Sequence, residues 1–444
     1  MKGDISLNIL SIDFGTSSLK MAVLDENLNI LRDTKVEYAY EVINKTHIQI
    51  DAEIVYAAFL KGLDNLQEYK SKIDIIAPCN FSPTLVAMDK DGNPLYPVIL
   101  HLDRRSYPQS EFAIKAVGKE AFLNINGNLP FPGGISCTSI LWIKDNLPEI
   151  YKQTYKFGHF NTYFHRRLVG KWATDPTNAS FTGIYETFKG GSWSEELCKG
   201  LGIDMDKLPD IVPSLSIIGH LTREAAAETG LREGIPVLMG SNDTSSAAYG
   251  VGAVNPGDIL NISGSNEIVT ITTDKPVPNE YYYIRTSMEA DKWLYLAITV
   301  GGFAVEWFRK EFFRDMPKED FFYKYFPEIV KQDCKSDVIF EPYLAGDRHS
   351  LELKTGAFRG LTFDTTRDDV FIALLVGTYE PIIRTIEICK TQMKLNPNIF
   401  WTGGMVSDAY MQFKKKVFKG FDFVMTRECS TLGNGKAALK VLSK

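Results

Sequence analysis

Two short stretches, DFGTSS at residues 13–18 and SGSN at residues 263–266, are rich in glycine and hydroxyl side chains and are the strongest indicators of the fold of this chain. Each stretch follows a run of apolar residues and precedes a run in which apolar and polar residues alternate. Each is therefore expected to form the tip of a β-hairpin. Such a tip presents backbone N–H groups and hydroxyls, which together can cradle an anion. Because the pattern occurs once in each half, we predict two related domains that close on one polyphosphate.

The composition excludes several classes of protein. The chain has 444 residues, 44% of them hydrophobic, which is enough for two or three domains with buried cores. A formal net charge of −6 argues against a nucleic-acid binder, which needs a basic surface. The six cysteines lack Cys-x-x-Cys spacing and are expected to be reduced thiols. Since neither a signal peptide nor a membrane-spanning stretch is evident, we expect a cytoplasmic protein without membrane contact.

The order of elements predicts an α/β fold in which mixed sheets are flanked by helices. Residues 1–245 are expected to form a first domain, with a helical insertion at 94–219 that shapes a substrate pocket. Residues 246–444 are expected to form a second domain that begins with its own hairpin. In this second domain we predict helices at 302–313, 368–390 and 407–418.

The first stretch has the side chains of a phosphate-binding turn. Thr16 and Ser17 offer hydroxyl donors, Gly15 lets the backbone approach a ligand closely, and Lys20 supplies a cation. The spacing is not that of a Walker P-loop, so a hairpin rather than a helix would hold the phosphate. Ordinary tight turns share this composition, and the stretch alone leaves both interpretations open.

Asp13 ends the apolar run beside this turn. A carboxylate at that point repels a bound anion unless a divalent cation bridges the two. We therefore expect a metal site with Mg²⁺ next to Asp13.

A second carboxylate, Asp243, lies between the apolar run 236–239 and the small-residue run 244–248. It is placed to accept the proton of a substrate hydroxyl while that oxygen attacks a phosphorus atom. The alternative is a helix N-cap, a position that favours aspartate. Two anion-binding turns in the same chain favour the catalytic interpretation.

Two glycine pairs, at 301–302 and 403–404, end strand-like runs and lead into predicted helices. Glycine at such points lets a flat adenine ring approach the backbone, although structural turns show the same pattern. The stretch GNGK at 433–436 lacks the remainder of a phosphate motif and is interpreted as the start of a helix.

The motifs, in their order and spacing, resemble those of the FGGY family of carbohydrate kinases, which share the two-domain, ribonuclease H-like ATPase fold of actin and hexokinase. The resemblance extends over nearly the whole chain. It rests on IDFGTS at 12–17, LDRR at 102–105, LWIK at 141–144, TD at 174–175, NAS at 178–180, GSND at 240–243, GS at 264–265, PYLAGDR at 342–348, GL at 360–361 and GG at 403–404.

The resemblance implies a role for each matching position. Asp243 would be the general base and would contact the substrate, and Asp13 would lie beside both the metal and the substrate. The predicted nucleotide-binding residues, for the phosphates and then for the adenosine, are Gly15, Thr16, Ser17, Lys20, Gly264 and Ser265, followed by Gly302, Gly403, Gly404 and Asp408.

Departures from the family pattern fall around the expected sugar pocket, where Ser82, His101 and Asp103 are predicted to contact the substrate. Ser82 and Pro83 replace both the Arg-Glu pair of glycerol-specific members and the Met-His pair of xylulose kinases. His101 replaces the usual tryptophan and is either a hydrogen-bond donor or a packed ring. Glycerol is therefore disfavoured.

We expect an ATP- and Mg²⁺-dependent kinase that phosphorylates a terminal hydroxyl of a small sugar, with a pentulose such as D-xylulose first among the candidates. Another ketose or a polyol remains an alternative substrate, and a catalytically silent sensor of sugar or nucleotide remains an alternative function. An actin-like filament is disfavoured by the insertion. A homodimer is the expected assembly.

Overall fold

The computed structural model describes residues 7–332, 337–344, 346–347, 354–404 and 408–443. Two mixed β-sheets, each flanked by helices, form the cores of two lobes. The predicted α/β fold is therefore confirmed. Within these ranges, no helix combines the length and the apolar content that a membrane span requires.

The first lobe is built on a seven-stranded sheet. At its centre, Ile9–Phe14 pairs antiparallel with Ser18–Leu24 to form the predicted hairpin, and it pairs in parallel with Ile75–Asn80 on its other side. Central strands covered on both faces are expected to be apolar throughout, and Ile9, Leu10 and Ile12 are fully buried. The edge strands are Ile30–Glu37 and Ile217–His220, and Pro236–Leu238 and Ser241–Asn242 both pair with Ile75–Asn80.

A sheet of five short strands and a set of helices extend this lobe around a large aromatic core. The strands of this sheet are Glu41–Val42, Ile48–Ile50, Thr84–Met88, Val98–Leu100 and Lys156–Gly158. A further pair of strands is formed by Ala173–Thr174 and Asp210–Ile211. The helices are Ala52–Asn65, Tyr107–Val117, Lys119–Ile125, Cys137–Asn146, Pro148–Gln153, Phe160–Val169, Pro176–Ala179, Glu195–Leu201 and Arg223–Thr229.

The second lobe repeats the central arrangement of the first. Ile259–Ser263 and Asn266–Thr273 form an antiparallel hairpin, and Ile259–Ser263 pairs in parallel with Asn398–Thr402. The remaining strands of this six-stranded sheet are Tyr283–Thr286, Trp293–Val300 and Asp422–Met425. A separate two-stranded sheet pairs Ile339–Glu341 with Ala357–Arg359.

The helices of the second lobe are Gly302–Phe312, Lys318–Asp320, Phe326–Ile329, Arg367–Thr378, Glu380–Gln392 and Asp408–Val417. The single helix expected at 368–390 is wrong, because the structure divides it at Tyr379. Pro381 explains the division, since proline lacks the N–H that a continuous helix would need and is tolerated in a first turn. The predicted start of the next helix, Ser407, lies outside the described residues, as do Cys334, Ala345 and Arg348.

Two helices cross between the lobes, Asp243–Val251 and the C-terminal helix Cys429–Leu442. They approach closely at two glycines, since a Cβ on Gly250 or on Gly433 would lie 1.9 Å from a backbone oxygen of the other helix. The C-terminal helix also buries Ala437 and Ala438 against the sheet of the first lobe. The stretch 433–436 lies inside this helix, so its interpretation as a helix start is wrong.

The five described cysteines are free thiols, and all of them are buried.

Candidate functional site

Two cavities lie in the cleft between the lobes and meet at the start of helix Asp243–Val251. The inner cavity has a volume of about 180 Å³ and the outer cavity about 770 Å³, and both are lined by Asp243 and Thr244. The polar residues that line the inner cavity include Thr16, Ser82, His101, Arg104, Asn266, Tyr283 and Arg285. The residues that line the outer cavity include Asp13, Gly15, Ser18, Lys20, Gly403, Gly404 and Ser430.

Asp243 is the first residue of its helix and is not the N-cap. The cap is Asn242, whose side-chain oxygen accepts a hydrogen bond of 2.7 Å from the backbone N–H of Ser245. The alternative that the sequence left open is therefore wrong, because the neighbouring asparagine already fills the capping position. One carboxylate oxygen of Asp243 accepts a hydrogen bond of 2.7 Å from the N–H of Thr244.

The environment of Asp243 raises the pKa of its carboxyl group to about 7. Burial is the main cause, and the negative charge of Asp13 adds to it, while the hydrogen bonds from Thr244 act in the opposite direction. A carboxyl group with a pKa near neutrality can take up a proton from a substrate and release it again. Such a group is suited to general base catalysis.

Asp13 is held by groups from two distant parts of the chain. The hydroxyl of Ser430 donates a hydrogen bond of 2.6 Å to one carboxylate oxygen, and the thiol of Cys79 lies 3.5 Å from the other. Lys20 faces Asp13 across the hairpin as its register partner. Ser430 was missed by the sequence reasoning because it lies 417 residues from Asp13 and belongs to no recognisable motif.

Hydrogen bonds within the first hairpin tip and from Tyr38 fix the shape of this tip. The N–H of Gly15 bonds to the carbonyl of Ser18 at 3.0 Å and closes the tip. The backbone N–H of Tyr38 donates to Ser17, and the hydroxyl of Tyr38 donates to the carbonyl of Gly15. The side chains of Ser17 and Lys20 are exposed to solvent.

The second hairpin tip is fixed against the start of helix Gly302–Phe312. The carbonyl of Gly264 accepts a hydrogen bond of 2.9 Å from Gly302, and the carbonyl of Ser265 accepts bonds from Gly301 and Phe303. The N–H of Gly302 is therefore already bonded within the protein. Neither cavity is lined by Gly302, Gly264, Ser265, Ser17 or Asp408.

The second glycine pair borders the outer cavity. Gly403 has a φ angle of +114°, and a Cβ at this position would lie 2.2 Å from the carbonyl oxygen of Ser263. Only glycine fits such a backbone conformation and such a close approach. The pair lies at the end of strand Asn398–Thr402, where a flat ring can approach the backbone.

The inner cavity takes residues from a loop that follows strand Val98–Leu100. One guanidinium nitrogen of Arg104 donates hydrogen bonds to the carbonyl groups of His101, at 2.9 Å, and Asp103, at 2.8 Å. Gly133 lies against these carbonyls so closely that a Cβ would be 2.3 Å from the oxygen of His101. On the opposite wall, the hydroxyl of Ser82 donates to the side chain of Asn178.

Asp103 does not line the inner cavity in this structure. Its carboxylate is buried, forms an ion pair of 2.8 Å with Arg105, and accepts a hydrogen bond of 2.6 Å from the N–H of Ile48. These contacts hold the loop, and the neighbouring Arg104 reaches the cavity in place of Asp103. Sequence spacing did not distinguish the two side chains because both belong to the same motif.

Arg285 is a second cavity residue that the sequence reasoning missed. It lies on strand Tyr283–Thr286 of the second lobe and donates hydrogen bonds to two carbonyls of the first, Ser180 at 2.8 Å and Gly134 at 3.1 Å. It belongs to no motif and reaches the cavity through contacts between distant segments. No local signal could have identified it.

The carboxylates at the cleft suit a magnesium ion held with a substrate phosphate. Across the described ranges, no group of three or more histidine, cysteine, aspartate or glutamate side chains is arranged to hold a metal by itself. Mg²⁺ usually binds through one or two carboxylates, substrate phosphates and water. Asp13 borders the outer cavity, and its charge raises the pKa of Asp243, so a bound cation would also relieve this repulsion.

Comparison with known proteins supports the same interpretation. Residues 8–250 match the N-terminal domain of the FGGY family of carbohydrate kinases. The chain is 26% identical over 420 residues to the xylulose kinase of Staphylococcus xylosus, covering 92% of this chain and 86% of that one. It is 24% identical over 430 residues to the gluconokinase of Bacillus subtilis (strain 168), covering 93% and 83%.

The fold agrees with that of a solved sugar kinase. The crystal structure of gluconate kinase from Lactobacillus acidophilus superposes with a TM-score of 0.90 and 22% identity, covering 99% of this chain and 90% of that one. Since the family match spans more than half of the residues, the chain belongs to the FGGY family of carbohydrate kinases and is an ATP-dependent carbohydrate kinase.

Proposed function

We propose that this kinase transfers the γ-phosphoryl group of ATP to a terminal hydroxyl of a small sugar, with Asp243 as the general base. The observation that carries the proposal is the position of Asp243, which borders both cavities. A sugar in the inner cavity and a triphosphate in the outer cavity would meet at this carboxylate.

In the proposed reaction, the sugar hydroxyl lies against the carboxylate of Asp243. The carboxylate accepts the hydroxyl proton as the oxygen attacks the γ-phosphorus and the bond to ADP breaks. The hydroxyl groups of Thr16 and Ser18 in the first hairpin tip, together with Lys20, stabilise the negative charge of the transferring group. Mg²⁺, when bound, would be held by Asp13 with phosphate oxygens and water, and it would supply further charge neutralisation.

Hydrogen bonds outside the inner cavity join the two lobes. Asn128 of the first lobe exchanges two hydrogen bonds of 3.1 Å with the backbone of Ile284 in the second. The indole N–H of Trp293 bonds to the carbonyl of Thr187 at 2.8 Å. Lobes that are held together around a bound sugar would limit the access of water, which would otherwise compete with the sugar for ATP.

A pentulose such as D-xylulose is the substrate that the sequence favours, and a xylulose kinase is among the relatives. Other ketoses and polyols are alternatives, since Ser82 and His101 replace the usual residues of the sugar pocket. A catalytically silent sensor is the alternative from another functional class. A homodimer and a cytoplasmic location also stay predictions.

The proposal is tested by ADP release from Mg-ATP in a coupled assay, with ketoses, polyols and sugar acids as acceptors and a blank without acceptor. We expect one acceptor to stimulate ADP release well above the blank. Binding of ATP without stimulation by any acceptor would favour the silent sensor and contradict the proposed kinase reaction.

A further inference from the structure

The inner cavity contains a buried cation that has no counter-ion among the residues that the structure describes. Arg285 is 1% exposed, and its Nε atom has no hydrogen-bond partner. Its two other bonds go to neutral carbonyl groups, at Ser180 and Gly134. In the part of the chain that the structure describes, no carboxylate lies within 4 Å of its guanidinium group.

The only other fully buried arginine among the described residues has an acidic partner. Arg105 pairs with Asp103 at 2.8 Å, and both side chains are buried. Arg167 pairs with Glu53 and Glu228, which raise the pKa of its guanidinium group. Burial instead lowers the pKa of Arg285 to about 9, because no acidic group compensates it. A buried and unpaired charge is costly, so its retention calls for an explanation.

A structural role, in which Arg285 joins the two lobes by hydrogen bonds, explains only part of its environment. The carbonyls of Ser180 and Gly134 are neutral acceptors, and the rings of Phe181 and Tyr283 pack on the guanidinium group. Neutral donors satisfy neutral carbonyls at a lower cost of desolvation. A contact between the lobes therefore accounts for the hydrogen bonds and ring contacts of Arg285, but not for its unpartnered Nε–H group or for the lack of an anion beside it.

Arg285 is not the only cationic side chain that borders the inner cavity. Arg104 is a second guanidinium group on the wall, and His101 lies beside it. Among the described residues that line the inner cavity, Asp243 alone carries a carboxylate. A neutral ketose would leave the charge of Arg285 without a counter-ion, whereas an anionic substrate would supply one.

We propose that Arg285 is a specificity-determining residue and that the substrate is a carboxylated sugar, whose carboxylate pairs with Arg285 while a hydroxyl faces Asp243. The proposal rests on the proposed kinase function and refines its substrate class. A planar carboxylate matches the fork of a guanidinium group, including the unused Nε–H. The sugar acid takes the place of the pentulose that the sequence favoured.

The first experiment compares acceptors that differ in charge. The coupled ADP assay is run with D-gluconate and shorter aldonates, with the neutral polyol D-glucitol, with D-xylulose, and with a sugar phosphate. We expect kcat/KM for one aldonate to exceed the values for the neutral acceptors by about 100-fold, as for a buried charge pair. Equal or better use of a neutral acceptor or of the sugar phosphate would overturn the proposal.

The second experiment removes the charge. Arg285→Gln is expected to raise KM for the aldonate by about 100-fold with little change in KM for neutral acceptors, and Arg285→Lys to restore part of the loss. Trp293→Phe is the matched control, because it removes an inter-lobe hydrogen bond outside the inner cavity. If Arg285→Gln raises KM equally for charged and neutral acceptors, Arg285 only joins the two lobes, and the proposal is overturned.

A binding measurement separates failure of this proposal from failure of the kinase function. Without ATP, the aldonate is expected to raise the Tm of the wild-type protein. The rise in Tm should be larger for Arg285→Lys than for Arg285→Gln. This shift without ADP release from any acceptor would support the acid-binding site and contradict the kinase reaction. ADP release with a neutral sugar, combined with no rise in Tm with any sugar acid, would support the kinase reaction and contradict the acid-binding site.

Discussion

Ser430 and Asp13 lie 417 residues apart in the chain and are joined by a hydrogen bond of 2.6 Å from the serine hydroxyl to the carboxylate. Ser430 is the second residue of the C-terminal helix Cys429–Leu442, and Asp13 lies on the first strand, Ile9–Phe14. The two ends of the chain therefore meet at the outer cavity. The proposed metal site depends on both lobes being correctly assembled.

Ser430→Ala is expected to reduce kcat/KM for ATP by about 10-fold, because a hydrogen bond to a charged group contributes about 1.5–3 kcal/mol. The variant should fold normally, since only one hydroxyl group is removed. Steady-state kinetics with varied Mg-ATP measure the effect. Ser443→Ala, beyond the end of the same helix, is the control, and equal kinetics in both variants would show that the bond to Asp13 has no functional role.

Gly433→Ala is expected to destabilise the protein by about 2 kcal/mol or more, since over-packing typically costs this amount. The new Cβ would lie 1.9 Å from the backbone oxygen of Ser246 in the crossing helix, so the two helices would have to separate. Urea unfolding measures the free energy. In Gly404→Ala the new Cβ meets no described atom within 4 Å, and a similar loss in both variants would rule out the helix crossing as the cause.

The raised pKa of Asp243 predicts how stability changes with pH. Because the folded protein binds this proton more tightly than the unfolded chain, the stability from Asp243 is largest below about pH 4 and falls as the pH rises to about 7. Asp243→Asn lacks this loss and should be more stable than wild type at pH 8, by on the order of 2 kcal/mol. Urea unfolding of both proteins without nucleotide at pH 5 and pH 8 tests this. If the stability of Asp243→Asn relative to wild type does not increase from pH 5 to pH 8, the raised pKa of Asp243 is contradicted.

The same pKa predicts the pH dependence of the reaction. A general base must be ionised, so kcat/KM for the acceptor should fall towards 10-fold per pH unit below about pH 7 and level off above it. Initial rates from pH 5.5 to pH 8.5 measure the profile. A rate independent of pH over this range would argue against proton transfer to Asp243 in the rate-limiting step.

The elements predicted from sequence were those with local signals. Both hairpins follow from alternating apolar residues around glycine-containing tips, and the structure has them at Ile9–Phe14 with Ser18–Leu24 and at Ile259–Ser263 with Asn266–Thr273. The parallel partner strands could not be assigned, because a parallel pair depends on a long connection rather than on a turn.

The site residues predicted from the sequence were also those with local signals. Asp13 and Asp243 were found because each ends an apolar run beside small polar residues, and the structure places both at the outer cavity. Ser430 and Arg285 were missed because their contacts come from tertiary packing of distant segments. Asp103 and Arg104 are neighbours in one motif, and only packing determines that the arginine reaches the cavity.

Asp243 is proposed to accept the proton during phosphoryl transfer, and single-turnover transfer from radiolabelled Mg-ATP by Asp243→Asn measures this step by itself. Removing a general base should slow the transfer step by about 10³-fold. The affinity for ATP should stay close to that of the wild-type protein, because the amide keeps the shape of the carboxyl group. A transfer rate near that of the wild-type protein would contradict the assignment of Asp243 as the base.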